Sequence, residues 1–98
     1  MLIRIVKLTF KEENISSFEA LFEETKETIR NFDGCQFLEL YQDKKHPNVF
    51  FTYSKWEAEI NLEAYRNSKF FESVWGRTKR LFQDKPEAWS VTNKVTLA

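Results

Sequence analysis

The sequence is poor in the residues that most often build metal sites, staples and turns: one cysteine, one histidine, two glycines and two prolines in 98 residues. A lone cysteine, Cys35, excludes an intramolecular disulfide and any multi-cysteine metal cluster. With His46 as the only imidazole, a zinc or iron site would have to be built largely from carboxylates, so no metal is expected. Few Gly and Pro leave few places for sharp reversal, so loops should be few and short. No charge sign is in excess, since fifteen Lys and Arg balance fifteen Asp and Glu. A neutral chain lacks the basic surplus that tracks phosphates, and nucleic acid is not an expected partner. No run approaches the roughly 18 apolar residues of a membrane span. Arg4 and Lys7 interrupt the apolar N-terminal stretch, which therefore does not read as a secretion signal. A cytoplasmic protein with no membrane partner is the expectation.

What is abundant is aromatic: ten Phe, three Trp and three Tyr, 16% of the chain, within a hydrophobic fraction of 42%. A chain of this size buries about 60% of its unfolded surface, enough for one core, and residues 1–98 are expected to form a single domain.

Leu2, Val6, Leu8 and Phe10 alternate loosely against Ile3 and Ile5, the pattern of a strand with apolar groups on both faces. Ser16 and Glu19 form a capping-box spacing that predicts a helix start. Phe18, Leu21, Phe22, Thr25, Ile29 and Phe32 follow at steps of three and four, with Glu23, Glu24, Lys26, Glu27 and Arg30 elsewhere, as in an amphipathic helix. Gly34 supplies a left-handed residue to end it. Cys35 to Asp43 reads as a second strand, with Phe37 and Tyr41 on one face and Leu38 and Leu40 toward the other. Residues 44–48, around His46 and Pro47, form a polar turn. Val49 to Trp56 then reads as a third strand, making a hairpin. A helical region from Glu57 to about Phe82 should break near Asn67 and Ser68 and end before Asp84-Lys85-Pro86. Trp89 to Thr96 is the last predicted strand, with Trp89, Val91 and Val95 on one face.

The order βαββαβ most readily gives an α+β, ferredoxin-like antiparallel sheet with both helices on one face. The other face of such a sheet should be polar if it meets water. Here Ile3 and Ile5 oppose Val6 and Leu8, Phe50 opposes Phe51, and Leu38 opposes Phe37. Something must cover the second face, and a second copy of the chain is the simplest cover, giving a two-fold homodimer.

Asp33-Gly34-Cys35, Asp43, Pro47, Phe50 with Tyr53 and Trp56, Leu62, and Ser68 with Phe71 follow one another in an order and spacing that resembles the antibiotic biosynthesis monooxygenase (ABM) family. The resemblance runs over nearly the whole chain, and Gly34-Cys35 and Trp56 carry most of it. It implies a dimeric α+β barrel. It also implies a monooxygenase that oxidises a quinol or related aromatic phenolic with molecular oxygen, without metal, flavin or other prosthetic group. Family members commonly have a histidine in a stretch resembling Leu-Glu-Ala-His, where this chain reads Leu62-Glu63-Ala64-Tyr65. The haem-degrading branch looks for an asparagine, a tryptophan and a histidine at places where Val6, Tyr65 and Trp75 stand, and haem degradation fits poorly.

Cofactor-free oxygenation needs a dry aromatic cavity that holds a flat ring and favours its anion. The residues proposed to bind the ring are Tyr53, Trp56, Leu62, Phe70, Phe71 and Trp75. Tyr65, which donates or accepts through its hydroxyl, and Arg66, an anion stabiliser, are the proposed catalytic pair. The same aromatic spacing also builds plain core, so a non-catalytic dimeric module that binds an apolar small molecule is the alternative. His46 lies in a charged turn and reads as solvated. Cys35 reads as a small buried hydrophobe, and the Glu19–Glu27 run as a solvated helix face.

Overall fold

Apolar side chains at alternate positions favour an extended backbone, because only there do they reach two separate interiors. In a computed structural model that describes all residues, Met1–Ala98, the stretch Leu2–Thr9 is accordingly a strand, β1. It is followed by α1 (Ile15–Arg30), β2 (Cys35–Gln42), β3 (Val49–Trp56), α2 (Glu59–Arg66), α3 (Lys69–Lys79) and β4 (Glu87–Val91). The sheet order is β2-β3-β1-β4 and every neighbouring pair is antiparallel. Strands β1 and β2 both run against β3, so they are parallel to one another and require a crossover, which α1 supplies. The α2–α3 segment does the same for β3 and β4 across β1. This is the α+β, ferredoxin-like sheet expected from the element order. No helix is long and apolar enough to cross a membrane.

Local chemistry explains most boundaries. The side chain of Asp43 accepts the backbone N–H groups of Lys45 (3.0 Å) and His46 (2.8 Å), holding the exposed β2–β3 turn. Ser68 caps α3 by accepting from the Phe71 N–H at 3.1 Å, which sets the break between α2 and α3. Four expectations from the sequence need correcting. The Ser16–Glu19 capping box does not form, because a 3₁₀ turn over Glu12–Asn14 leads straight into α1 and places Ser16 inside its first turn. The Asn14 amide instead donates to the Leu81 carbonyl at 3.2 Å. Gly34 has a positive φ of 87°, but it closes the turn into β2 rather than capping α1, whose last residue is Arg30. Helix α3 stops at Lys79, and Phe82 leaves the helix to form a bridge with Phe10. Strand β4 covers Glu87–Val91, so Val95 lies outside it.

Even-numbered residues of β1 face the helices, and two clusters fill that side. Leu8, Phe10, Phe18 and Phe50 form one, Cys35, Trp56, Leu62 and Tyr65 the other. Phe10 is wholly buried, stacked on Phe18 at 4.2 Å and on Phe82 at 5.2 Å between ring centres. Each such burial is worth roughly 1.5–3 kcal/mol. The opposite face is also apolar. Register places Ile3 and Ile5 of β1 beside Tyr53 and Lys55 of β3 and Trp89 and Val91 of β4. Phe37 packs edge-on to Tyr53 at 6.0 Å, and the Lys55 ammonium sits 5.0 Å above the Phe37 ring. Trp89 and Tyr41 remain 44% and 48% exposed in the single chain.

Candidate functional site

Between the helices and the front of the sheet lies a cavity of about 260 Å³. Its floor is the front of the sheet: Arg4, Val6 and Leu8 from β1, Leu38 from β2, Thr52, Ser54 and Trp56 from β3, and Ala88 from β4. Period-two alternation puts these residues together, since β1 and β3 pair without a break from Leu2 with Trp56 to Thr9 with Val49. One wall is α1, through Phe18, Leu21, Phe22, Thr25 and Ile29. The roof is α2 and α3, through Leu62, Tyr65, Arg66, Phe71, Val74, Trp75 and Thr78.

The structure brings together six of the eight residues singled out from sequence: Trp56, Leu62, Tyr65, Arg66, Phe71 and Trp75 all border this cavity. Two do not. Tyr53 lies an odd number of residues from Trp56 on the same strand, so it points to the other face, against Phe37 and Tyr41. Phe70 is one position away from Phe71 on α3 and packs instead against the cluster that holds Cys35 and Trp56. Among the cavity residues not singled out from sequence, one is charged. Arg4 occupies the β1 position between Leu2 and Val6, and a charge inside that apolar alternation was the signal for it.

The rings along the roof form a connected series. Trp56 lies 5.1 Å from Tyr65, Tyr65 5.1 Å from Phe71, and Phe71 is stacked on Trp75 at 5.8 Å. Such contacts fix ring positions, and a flat aromatic guest would meet faces and edges already in place.

The polar groups divide into engaged and free. Ser54 Oγ accepts from Trp56 Nε1 at 3.0 Å, and the hydroxyls of Thr25 and Thr78 donate to carbonyls of their own helices. The Tyr65 hydroxyl has no hydrogen bond within the chain, although no fully buried side-chain oxygen or nitrogen lacks a partner. Tyr65 borders the cavity, and its hydroxyl is left without a partner from the chain. Burial holds its proton well above the usual phenol range, with the nearby Cys35 acting in the same direction. Tyr65 is thus a neutral hydrogen-bond donor at any physiological pH, and not a base.

Arg4 donates to Ser90 Oγ at 2.9 Å and takes part in no ion pair, and neither does Arg66. Desolvation lowers the Arg4 pKa, and the neighbouring Arg66 charge lowers it further. The cavity wall contains no Asp, Glu, His or Cys, and nowhere in the chain do three such side chains converge as a metal site would require. Its electrostatic character is set by two cations and a neutral phenol.

Other proteins share this architecture. A crystal structure of an antibiotic biosynthesis monooxygenase superposes with a TM-score of 0.90 at 20% identity, covering 97% of this chain and 100% of that one. A conserved protein from Methanosarcina mazei Go1 gives 0.88 at 22% identity, over 96% of this chain and 94% of that one. Rv0793 from Mycobacterium tuberculosis gives 0.88 at 15% identity, over 99% and 98%. Among functionally curated proteins none matches. The sequence profile of the antibiotic biosynthesis monooxygenase family matches residues 1–74, the stretch that carries β1 through about half of α3 and all of the cavity lining except Trp75, Thr78, Pro86 and Ala88. This chain therefore belongs to the antibiotic biosynthesis monooxygenase family.

Proposed function

We propose that the chain works as a homodimeric, cofactor-independent monooxygenase that oxidises a small quinol or related phenolic with molecular oxygen. The observation that carries this reading is the cavity itself, aromatic on its roof and bordered by the Tyr65 phenol and two guanidiniums. An electron-rich phenolate can reduce oxygen without a prosthetic group. When a ring methylene becomes a carbonyl, one oxygen atom enters the ring and the other leaves as water with the two hydrogens, so the substrate supplies all the electrons. The protein's part is to bind the anion, keep bulk water away and stabilise the charge that develops on oxygen. Tyr65 donates to the ring oxygen, and Arg66 favours the ionised form. Trp56, Phe71 and Trp75 hold the ring, with Leu62 closing the space between them.

The volume bears on the substrate. An apolar cavity of roughly 150 Å³ accommodates one benzene ring, so about 260 Å³ suits one or two fused rings better than a tetracycle. It also disfavours haem, for which the wall offers no imidazole or thiolate.

The second face of the sheet supports the dimer. Ile5, Tyr53, Trp89 and Val91 line up across three strands in a single chain, and a two-fold partner is the simplest way to remove them from water.

One observation favours a second reading, a non-catalytic module that binds an aromatic small molecule: the cavity wall has no group able to accept a proton near neutral pH. Oxygen-electrode measurements on reduced naphthoquinones and anthrone-like phenols separate the two. Uptake above autoxidation that falls in Tyr65→Phe supports the oxygenase. No uptake above autoxidation, with Tyr65→Phe indistinguishable from parent, overturns it.

A further inference from the structure

A ring-binding cavity needs no charge, yet this one has two guanidiniums on its wall. They come from separate elements, Arg4 from the middle of β1 and Arg66 from the last turn of α2. Placing two like charges at one cavity costs free energy unless something offsets it. The usual offset is absent, because the three ion pairs of the chain, Lys7–Glu87, Lys26–Glu23 and Arg77–Glu24, involve neither residue. The only polar side chain that engages Arg4 is the Ser90 hydroxyl, at 2.9 Å from one of its nitrogens. Arg66 has no side-chain hydrogen bond at all within the chain. The facing side chains on the sheet are Ser54 and Ser90, neighbours of Arg4 in register, and neither carries charge.

We infer that Arg4 and Arg66 together form an anion subsite, and that the cavity selects aromatic molecules carrying an ionised oxygen group, a carboxylate or an acidic phenolate, over neutral ones of the same shape. This rests on the reading of the cavity as a ring-binding site, and deepens it by assigning the charge of the guest. Guanidinium N–H groups in a fork match the two oxygens of a carboxylate, and two such forks from different directions fix its orientation. The absence of any base in the wall points the same way. A guest that must be anionic to react, in a cavity that cannot deprotonate it, has to arrive ionised or be ionised by the field of the two cations. Arg4 is half-buried and Arg66 is exposed, so an incoming anion meets one partly desolvated cation and one that remains in water.

The test is equilibrium binding, followed through quenching of tryptophan emission and checked by calorimetry, so that turnover is not required. 2-Naphthoate, 2-naphthamide, 1-hydroxy-2-naphthoate and 2-naphthol share a two-ring frame and differ in charge and in the source of the ionised oxygen. Parent protein should bind 2-naphthoate at least about tenfold more tightly than the amide, as one charge-assisted contact would give. Arg4→Gln and Arg66→Gln should each erase most of that ratio, with Arg66→Lys recovering part of it. Arg80→Gln, at the exposed position just after α3, should leave it unchanged. Far-UV circular dichroism keeps a folding defect distinct from a lost contact. Preference for the hydroxynaphthoate over both single-group compounds would assign the pair to a carboxylate beside the phenol. Preference confined to ionised naphthol above its pKa would assign it to a phenolate. Equal binding of naphthoate and amide by the parent, or an unchanged ratio in the Arg4→Gln/Arg66→Gln double variant, overturns the subsite. Charge selection without oxygen uptake on any compound leaves the subsite standing and defeats the oxygenase. Oxygen uptake on neutral quinols without charge selection does the reverse.

Discussion

The ring of Tyr65 lies 5.1 Å from the indole of Trp56 and is tilted 31° to it, while its hydroxyl is bonded to nothing in the chain. The ring is structural and the oxygen is free, so the two roles can be separated by one substitution. Tyr65→Phe keeps the packing and removes only the donor. Stability of the variant is expected within about 1 kcal/mol of parent, because no protein hydrogen bond is lost. Turnover of a phenolic, measured as oxygen uptake, should fall by about ten- to a hundredfold. A large drop in the urea midpoint with unchanged turnover would reverse these roles.

The same residue gives the protein a dependence on alkaline pH. Burial raises the Tyr65 pKa in the folded chain above its value near 10 when unfolded. Between those two values the unfolded state binds fewer protons, so stability falls as pH rises. The contribution is complete below about pH 10 and is lost progressively above it. Urea midpoints at pH 8 and pH 11 should therefore diverge more for parent than for Tyr65→Phe. Equal divergence in both proteins would assign the effect to other groups.

Gly34 combines a positive φ of 87° with close packing against α2. A Cβ built there would lie 2.3–2.5 Å from side-chain atoms of Asn61. Both the dihedral and the contact oppose any other residue, and the Gly34 carbonyl also accepts from the Glu57 N–H at 2.8 Å. Gly34→Ala should cost about 1–3 kcal/mol, read as a lowered thermal midpoint. Asn61→Gly should recover part of it by removing the obstructing Cβ together with the amide, whereas the dihedral strain remains.

Phe10 is the best-buried side chain of the larger aromatic cluster, enclosed by Phe18, Phe50 and Phe82. Phe10→Ala leaves a cavity that the sheet and α1 cannot close, and a loss of about 3–5 kcal/mol is expected in urea titration. Phe10→Leu should cost much less, since most of the volume is kept.

Charge on the outer face of the sheet tests the proposed two-fold partner. Tyr53→Glu places a carboxylate between Phe37 and Tyr41, on a face with no role in the cavity. Parent should sediment as a dimer at micromolar concentration and the variant as a folded monomer. A parent that sediments as a monomer removes the dimer from the proposal.

Much of the architecture is legible in the sequence because its signals are local. Strand β3 begins at Val49 and ends at Trp56 as its aromatic run does, and Ser68 breaks the second helical region as a cap residue should. The two-faced apolar pattern of β1 also follows from neighbours two positions apart. The misplaced boundaries depend on distant partners. Asn14 donates to the Leu81 carbonyl instead of leaving the start of α1 to a Ser16 capping box, and Phe82 leaves the helix to pair with Phe10.

The candidate site divides in the same way. Sequence by itself determined most of the strands and helices and the aromatic supply; aromatic type groups Tyr53 with Trp56, although period-two alternation puts the two on opposite faces. Adjacent residues on a helix differ by about 100° in direction, and only the docking of α3 decided that Phe71 and not Phe70 borders the cavity. Only the tertiary structure brought Arg4 and Arg66 to one cavity, from floor and roof, and left the Tyr65 hydroxyl without a partner in the chain. Periodicity tells a side chain which way to point from its own backbone; what it meets there is settled by crossovers that join elements far apart along the chain.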